Sequence, residues 1–122
     1  PMMEILPDFP DNVNAVAGSG RVTRQDYETV LVPRVEQALA RLAVLRVYYR
    51  IGPDFAGIDP GAMWADFTVG MGHLSRWERV AVITDIAWIA QTIRTFDFLF
   101  PGELRIFPDA EAAQARDWVV AA

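Results

Sequence analysis

The chain contains no cysteine, which removes disulfides, thiolate nucleophiles and most zinc sites as ways of holding or using the fold. A single histidine, His73, leaves no multi-histidine metal site. All 11 basic residues are arginine, so there is no lysine for a Schiff base or a P-loop. The formal charge of −5 speaks against a nucleic-acid partner, because affinity for a phosphate backbone comes from clustered positive charge. No apolar run reaches the roughly 20 residues that a membrane-spanning helix requires, and the first residues do not resemble a secretion signal. These absences lead to the expectation of one cytoplasmic domain over residues 1–122, with no metal, no cofactor and no transmembrane segment.

What is there is the composition of a packed globule, with 52% hydrophobic and 22% charged residues. The stretch from Leu74 to Pro108 spells strand, helix, strand with few spare residues. Arg79 to Thr84 is β-branched, Asp85 is placed to cap a helix, and Ile89, Ile93, Phe96 and Phe100 fall on one helical face. Pro101-Gly102 stops that helix, and Leu104 to Phe107 begins the next strand, which implies a parallel, right-handed crossover. Upstream, Met2 to Leu6 and Val13 to Ser19 read as an antiparallel strand pair. Thr23 and Asp26 form a capping signal for an amphipathic helix carrying Tyr27, Val30, Leu31, Val35, Ala38, Leu39 and Leu42, with a kink expected at Pro33. Val44 to Ile51 reads as a central strand, Gly52 to Asp59 as a loop, and Pro60 to Leu74 as a helix. Pro108-Asp109 opens a last helix with Ala112, Ala115, Trp118 and Val119 on a narrow stripe. The order ββαβαβαβα makes an α/β fold, a single open, mostly parallel sheet of about five strands with about four helices on both faces.

The segments HLSRWERVAVITD, Trp88, FPGELRIFP and GSGRVTRQDYETVLVPRVEQAL together resemble the SpoIIAA-like family of small bacterial proteins, also described as STAS/SEC14-like domains. Two kinds of relative imply different behaviour. The resemblance to STAS domains implies docking of a regulatory protein partner, switched in some members by phosphorylation of a serine at a helix start. The matching segment here, Ile51 to Trp64, holds no Ser or Thr, which removes the hydroxyl that such a switch requires. The resemblance to Sec14-like domains implies an apolar or lipid-like ligand held beneath a helical gate.

Ligands of open α/β sheets bind at the carboxyl ends of the strands, near a reversal of strand order. Those ends supply Ser19, Gly20 and Arg21, then Arg50, Gly52, Asp54 and Phe55, then Thr84 and Asp85. Arg21 and Arg50 are candidates to grip a carboxylate or phosphate through forked hydrogen bonds, or else are surface charges paired with Asp54 or Asp85. In the helix Pro60 to Leu74, Met63, Trp64, Phe67 and Met71 make an apolar face wide enough to line a pocket for a variable ligand, or an ordinary core. Gly70 and Gly72 loosen that helix. No catalytic set is legible, since His73 and Ser75 point apart on a helix, Glu78 and Glu103 are not brought together by spacing, and there is no Gly-x-Ser-x-Gly elbow. Trp88, Thr92, Thr95, Phe98 and Leu99 exceed what one sheet contact hides, so a homodimer interface is a further expectation. The sequence therefore supports a non-enzymatic domain that binds a small apolar or anionic-headed ligand, and alternatively a STAS-type interaction module without a phosphorylatable serine.

Overall fold

In the computed structural model, which describes residues 3–58, 72 and 74–122, five strands form one open sheet in the order β1-β2-β4-β6-β7. The strands are β1 Met3–Ile5, β2 Val13–Gly18, β4 Leu45–Ile51, β6 Trp77–Ile83 and β7 Glu103–Phe107. β1 runs antiparallel to β2, as the turn formers between them require, and every other pairing in this sheet is parallel. β4 occupies the middle, with β2 on one side and β6 on the other. The expected mixed sheet is therefore observed, and three helices accompany it among the described residues. The expected helix from Pro60 to Leu74 falls almost wholly outside the described residues.

Helix α1 begins with the capping box at Thr23, whose hydroxyl accepts from the Asp26 N–H at 3.2 Å while Asp26 accepts from the Thr23 N–H at 2.8 Å. It starts as α-helix over Arg24–Asp26, widens into a π turn over Tyr27–Leu31 and returns to α-helix over Val32–Arg41. Pro33 explains the widening. It has no N–H to give to Thr29, and its ring would strike that carbonyl in a regular α-helix, so the turn leading into it is a looser one.

Two clusters lie on opposite faces of the sheet. Tyr27, Leu31, Val35 and Leu39 of α1 pack with Met3, Val16, Leu45 and Trp77. On the other face Ala115 and Val119 of helix α3 (Ala112–Val120), both fully buried, pack on Val13, Tyr48, Ala81 and Ile83. Helix α2 (Ala87–Phe96) lies on the α1 side, where Ile93 and the β7 residues Leu104 and Ile106 border one open hollow. It is shorter than its apolar spacing implies, because a 3-10 turn, Asp97–Leu99, tightens its end.

The cap of α2 differs from expectation. Ile86 holds the N-cap position, the Thr84 hydroxyl accepts from its N–H at 3.0 Å, and Asp85 turns away to accept the Asp109 N–H at 3.0 Å. The expected loop after β4 contains a short strand, β5 Gly57–Ile58, paired in parallel with β3 Arg21–Val22. Two residues each are too few to register as a periodic signal.

Arginines close the helix ends. Arg76 donates to the Leu39 and Leu42 carbonyls of α1 at 2.6 and 2.7 Å. Buried Arg46 donates to Val119 O at 2.9 Å, and Arg79 donates to Trp118 O and Ala121 O at 2.9 Å, so two strand arginines cap α3. Gly102 precedes β7 where a Cβ would lie 2.4 Å from Trp77 O and 2.7 Å from Glu78 O. Gly102→Ala is therefore expected to destabilise the fold by roughly 1–3 kcal/mol through backbone displacement, measured by urea unfolding; an unchanged midpoint would contradict this packing.

Candidate functional site

The parallel strands β2, β4 and β6 deliver their carboxyl ends to one edge, where two loops are joined. The Gly52 N–H donates to Gly18 O at 3.0 Å, the Ala56 N–H donates to Gly20 O at 2.6 Å, and the β3–β5 ladder continues the seam. Gly20, at φ +57°, lets the chain reverse directly after β2. Arg21, Asp54 and Phe55 therefore share one double loop. Phe55 packs against the α1-side core, and a Cβ on Gly57 would stand 3.7 Å from Arg21 Nη1.

Arg50 and Asp85 belong to a second group at the same edge. Arg50 makes a two-pronged ion pair with Asp109 Oδ1, at 2.9 Å from Nη2 and 3.0 Å from Nε, and the Asp109 backbone is held by Asp85. Alternation along β4 puts Arg50 on the α3 side with Tyr48, whereas Val22, next to Arg21, enters the α1-side core. Arg50 is thus engaged on the α3 side, with Asp109 as its ion-pair partner. The strand order also runs steadily outward from β1 to β7, so this sheet has no reversal to open a crevice. Met63, Trp64, Phe67, Met71 and His73 lie outside the described residues. Glu78 and Glu103 are engaged separately, by Arg46 at 2.6 Å and by Arg79 at 3.7 Å.

One feature of the edge was not anticipated. A central parallel strand is expected to be covered on both faces, and Tyr48, Ala81 and Ile83 satisfy this on the α3 side. On the α1 side Val47, Tyr49 and Ile51 of β4 and Val80 of β6 are only half-buried, as is Phe55 at the end of the row. They form an apolar floor running up to the loop that carries Arg21. Its wall is polar at one point, where the Tyr27 and Tyr49 hydroxyls meet at 3.3 Å. In sequence the same residues read as a uniformly buried run, because alternation shows which face a residue takes but not how fully that face is covered.

Among the described residues no group of three or more His, Asp or Glu side chains converges as a metal site, and no helix is long and apolar enough to cross a membrane.

A family model described as SpoIIAA-like matches residues 13–120. The chain belongs to the SpoIIAA-like family. A crystal structure of an uncharacterised DUF3478-family protein with a SpoIIAA-like fold, from Shewanella loihica PV-4, is similar to it at 26% identity. That likeness covers 96% of this chain and 91% of the other, with a TM-score of 0.77. No curated protein matches.

Tyr48 of this SpoIIAA-like domain is buried on the α3 side, near Arg50 and Arg116. Burial raises its pKa above the ordinary tyrosine value, against the opposing pull of Arg50 and Arg116, and its hydroxyl donates to Ala112 O at 3.3 Å. A group raised in the folded state contributes stability that is intact below its unfolded pKa and is lost as pH climbs through the folded one. Unfolding free energy is therefore expected to fall with rising pH above about 10, and Tyr48→Phe is expected to flatten that slope; an unchanged slope in the variant would contradict this assignment.

Proposed function

We propose that this SpoIIAA-like domain is a non-enzymatic binder of a small ligand with an apolar body and an anionic head. The supporting observation is the half-buried floor of Val47, Tyr49, Ile51 and Val80 on the two central strands, where apolar surface otherwise goes uncovered at a cost of about 25 cal/mol per Å². The body of the ligand lies along this floor. Its head meets Arg21 at the strand ends, where a guanidinium presents several donors to a carboxylate or phosphate. Met63, Trp64, Phe67 and Met71 complete the proposal as its adaptable apolar cover, since thioether and aromatic side chains accommodate variable shapes. Asp54 and Phe55 border the head and the end of the floor, and Arg50 and Asp85 brace the edge through Asp109 rather than touching ligand.

Native mass spectrometry of the full chain after incubation with a total bacterial phospholipid extract tests this. A discrete adduct is expected, weakened about tenfold in Arg21→Ala by loss of a charge-assisted hydrogen bond and abolished in Val47→Arg. Bare polypeptide mass after exposure would overturn the reading.

A second reading is supported by a different surface. Trp88, Phe98 and Leu99 are 59%, 77% and 57% exposed, and the stripe Trp88, Thr92, Thr95, Leu99 carries no charge. The Thr92 and Thr95 hydroxyls bond back to the Trp88 and Gln91 carbonyls, which leaves their methyls outward. Large residues at both ends and small ones between suit a two-fold antiparallel contact, with Trp88 of one copy against Leu99 of another. A second copy of this chain is the partner that reading commits to. Sedimentation equilibrium is expected to show a dimer that Trp88→Asp converts to monomer; a monomer at all concentrations in the parent chain would contradict it.

A further inference from the structure

At the opposite end of the sheet, beneath the connection from β1 to β2, lies a cavity of about 410 Å³, large enough for a small organic ligand. Asn14 of β2 is part of its lining and is only 3% exposed, yet its Nδ2 has no hydrogen-bond partner among the described residues. A buried amide without an acceptor is costly and rare, and it calls for an acceptor from outside the chain. The helical wall of the cavity carries Arg34 and Arg41, seven residues apart and therefore on one face of α1. The loop wall carries Asp8 and Asp11. No ion pair joins the two walls among the described residues.

The loop wall is held in place from the far side. Arg116 of α3 donates to Asp8 O and sits 4.2 Å over the Phe9 ring, and Phe9 stacks at 4.9 Å on Tyr48. The Val13 N–H donates to Pro10 O at 3.0 Å. The cavity is thus a braced space with positive charge and a buried donor on one side, negative charge on the other, and apolar surface from Ile5 and Ala38 on its α1 side.

We propose that this cavity binds a small zwitterion, an amino acid with an apolar side chain. Its carboxylate accepts from Asn14, Arg34 and Arg41, its ammonium faces Asp8 and Asp11, and its side chain lies against Ile5 and Ala38. This site is separate from the apolar floor and does not depend on it.

The test is a two-dimensional amide NMR titration of the full chain with L-phenylalanine, following the Asn14 side-chain NH₂ signals. Saturable movement of those signals is expected. Arg41→Ala alters an exposed side chain at the end of α1 and leaves the fold intact; it is expected to weaken binding about tenfold or more, as loss of a charge-assisted contact does, and Asn14→Leu to do the same. Phenylalanine amide, which lacks the carboxylate, and N-acetylphenylalanine, which lacks the ammonium, are expected to bind at least about tenfold more weakly for the same reason. No saturable movement of the Asn14 signals, or equal binding of either derivative, would overturn the proposal, whatever the outcome with phospholipid.

Discussion

The rest of the structure depends on the pairing of β4 with β2 and β6. Six residues of β4, Arg46 to Ile51, pair in unbroken parallel register with Val13 to Gly18, and Leu45 to Arg50 pair with β6 across one irregularity. That arrangement satisfies the strand's backbone groups on both edges and leaves its side chains to alternate between two different cores. Leu45 enters the α1 side and Tyr48 the α3 side, so one strand joins both layers. Slipping the register by one residue would exchange Tyr48 for Tyr49 and bury Arg50 where Tyr49 now meets Tyr27. The half-buried floor and the braced loop under Asn14 both inherit their positions from this strand and its neighbour.

Arginine does the connecting work that other chains divide between lysine and arginine. Arg46, Arg76 and Arg79 each reach helix-terminal carbonyls while standing on or beside strands. A planar fork serves two acceptors at once, which a lysine ammonium on a flexible stem does less well. Trp118 of α3 is held the same way, with Arg105 at 4.8 Å and Arg79 at 5.7 Å from its ring. These contacts fix where the layers meet, and the net acidity of the chain hides them because they are spent internally.

Much of the fold was legible in the sequence because its signals are local. The capping residues Thr23 and Asp26, the apolar spacing of Tyr27 to Leu39, the β-branched strands and Pro101-Gly102 each act over a few residues. What was missed depends on partners distant in the chain. Asp85 has the right identity for a cap, but Asp109, twenty-four residues on, competes for its carboxylate. Pro33 signalled a disturbance and not its form, a π turn over Tyr27–Leu31. The β3–β5 ladder is too short for any period. At the candidate site, Arg21, Asp54 and Phe55 were legible as strand-end residues and do share a loop, whereas the ion-pair partner of Arg50, Asp109, lies fifty-nine residues on. Asn14 carried no signal at all, because an asparagine in a strand is notable only once its burial and missing acceptor are seen.

The account of function reduces to one claim, that the α1 face of the central strands is a receptive apolar surface while the α3 face is a finished core. Methyl-resolved NMR during titration with decanoate compares the two directly. The account predicts saturable shifts of the Val47, Ile51 and Val80 methyls with those of Val13, Ala15 and Ile83 unmoved. Equal shifts on both faces, or none on the first, would contradict it.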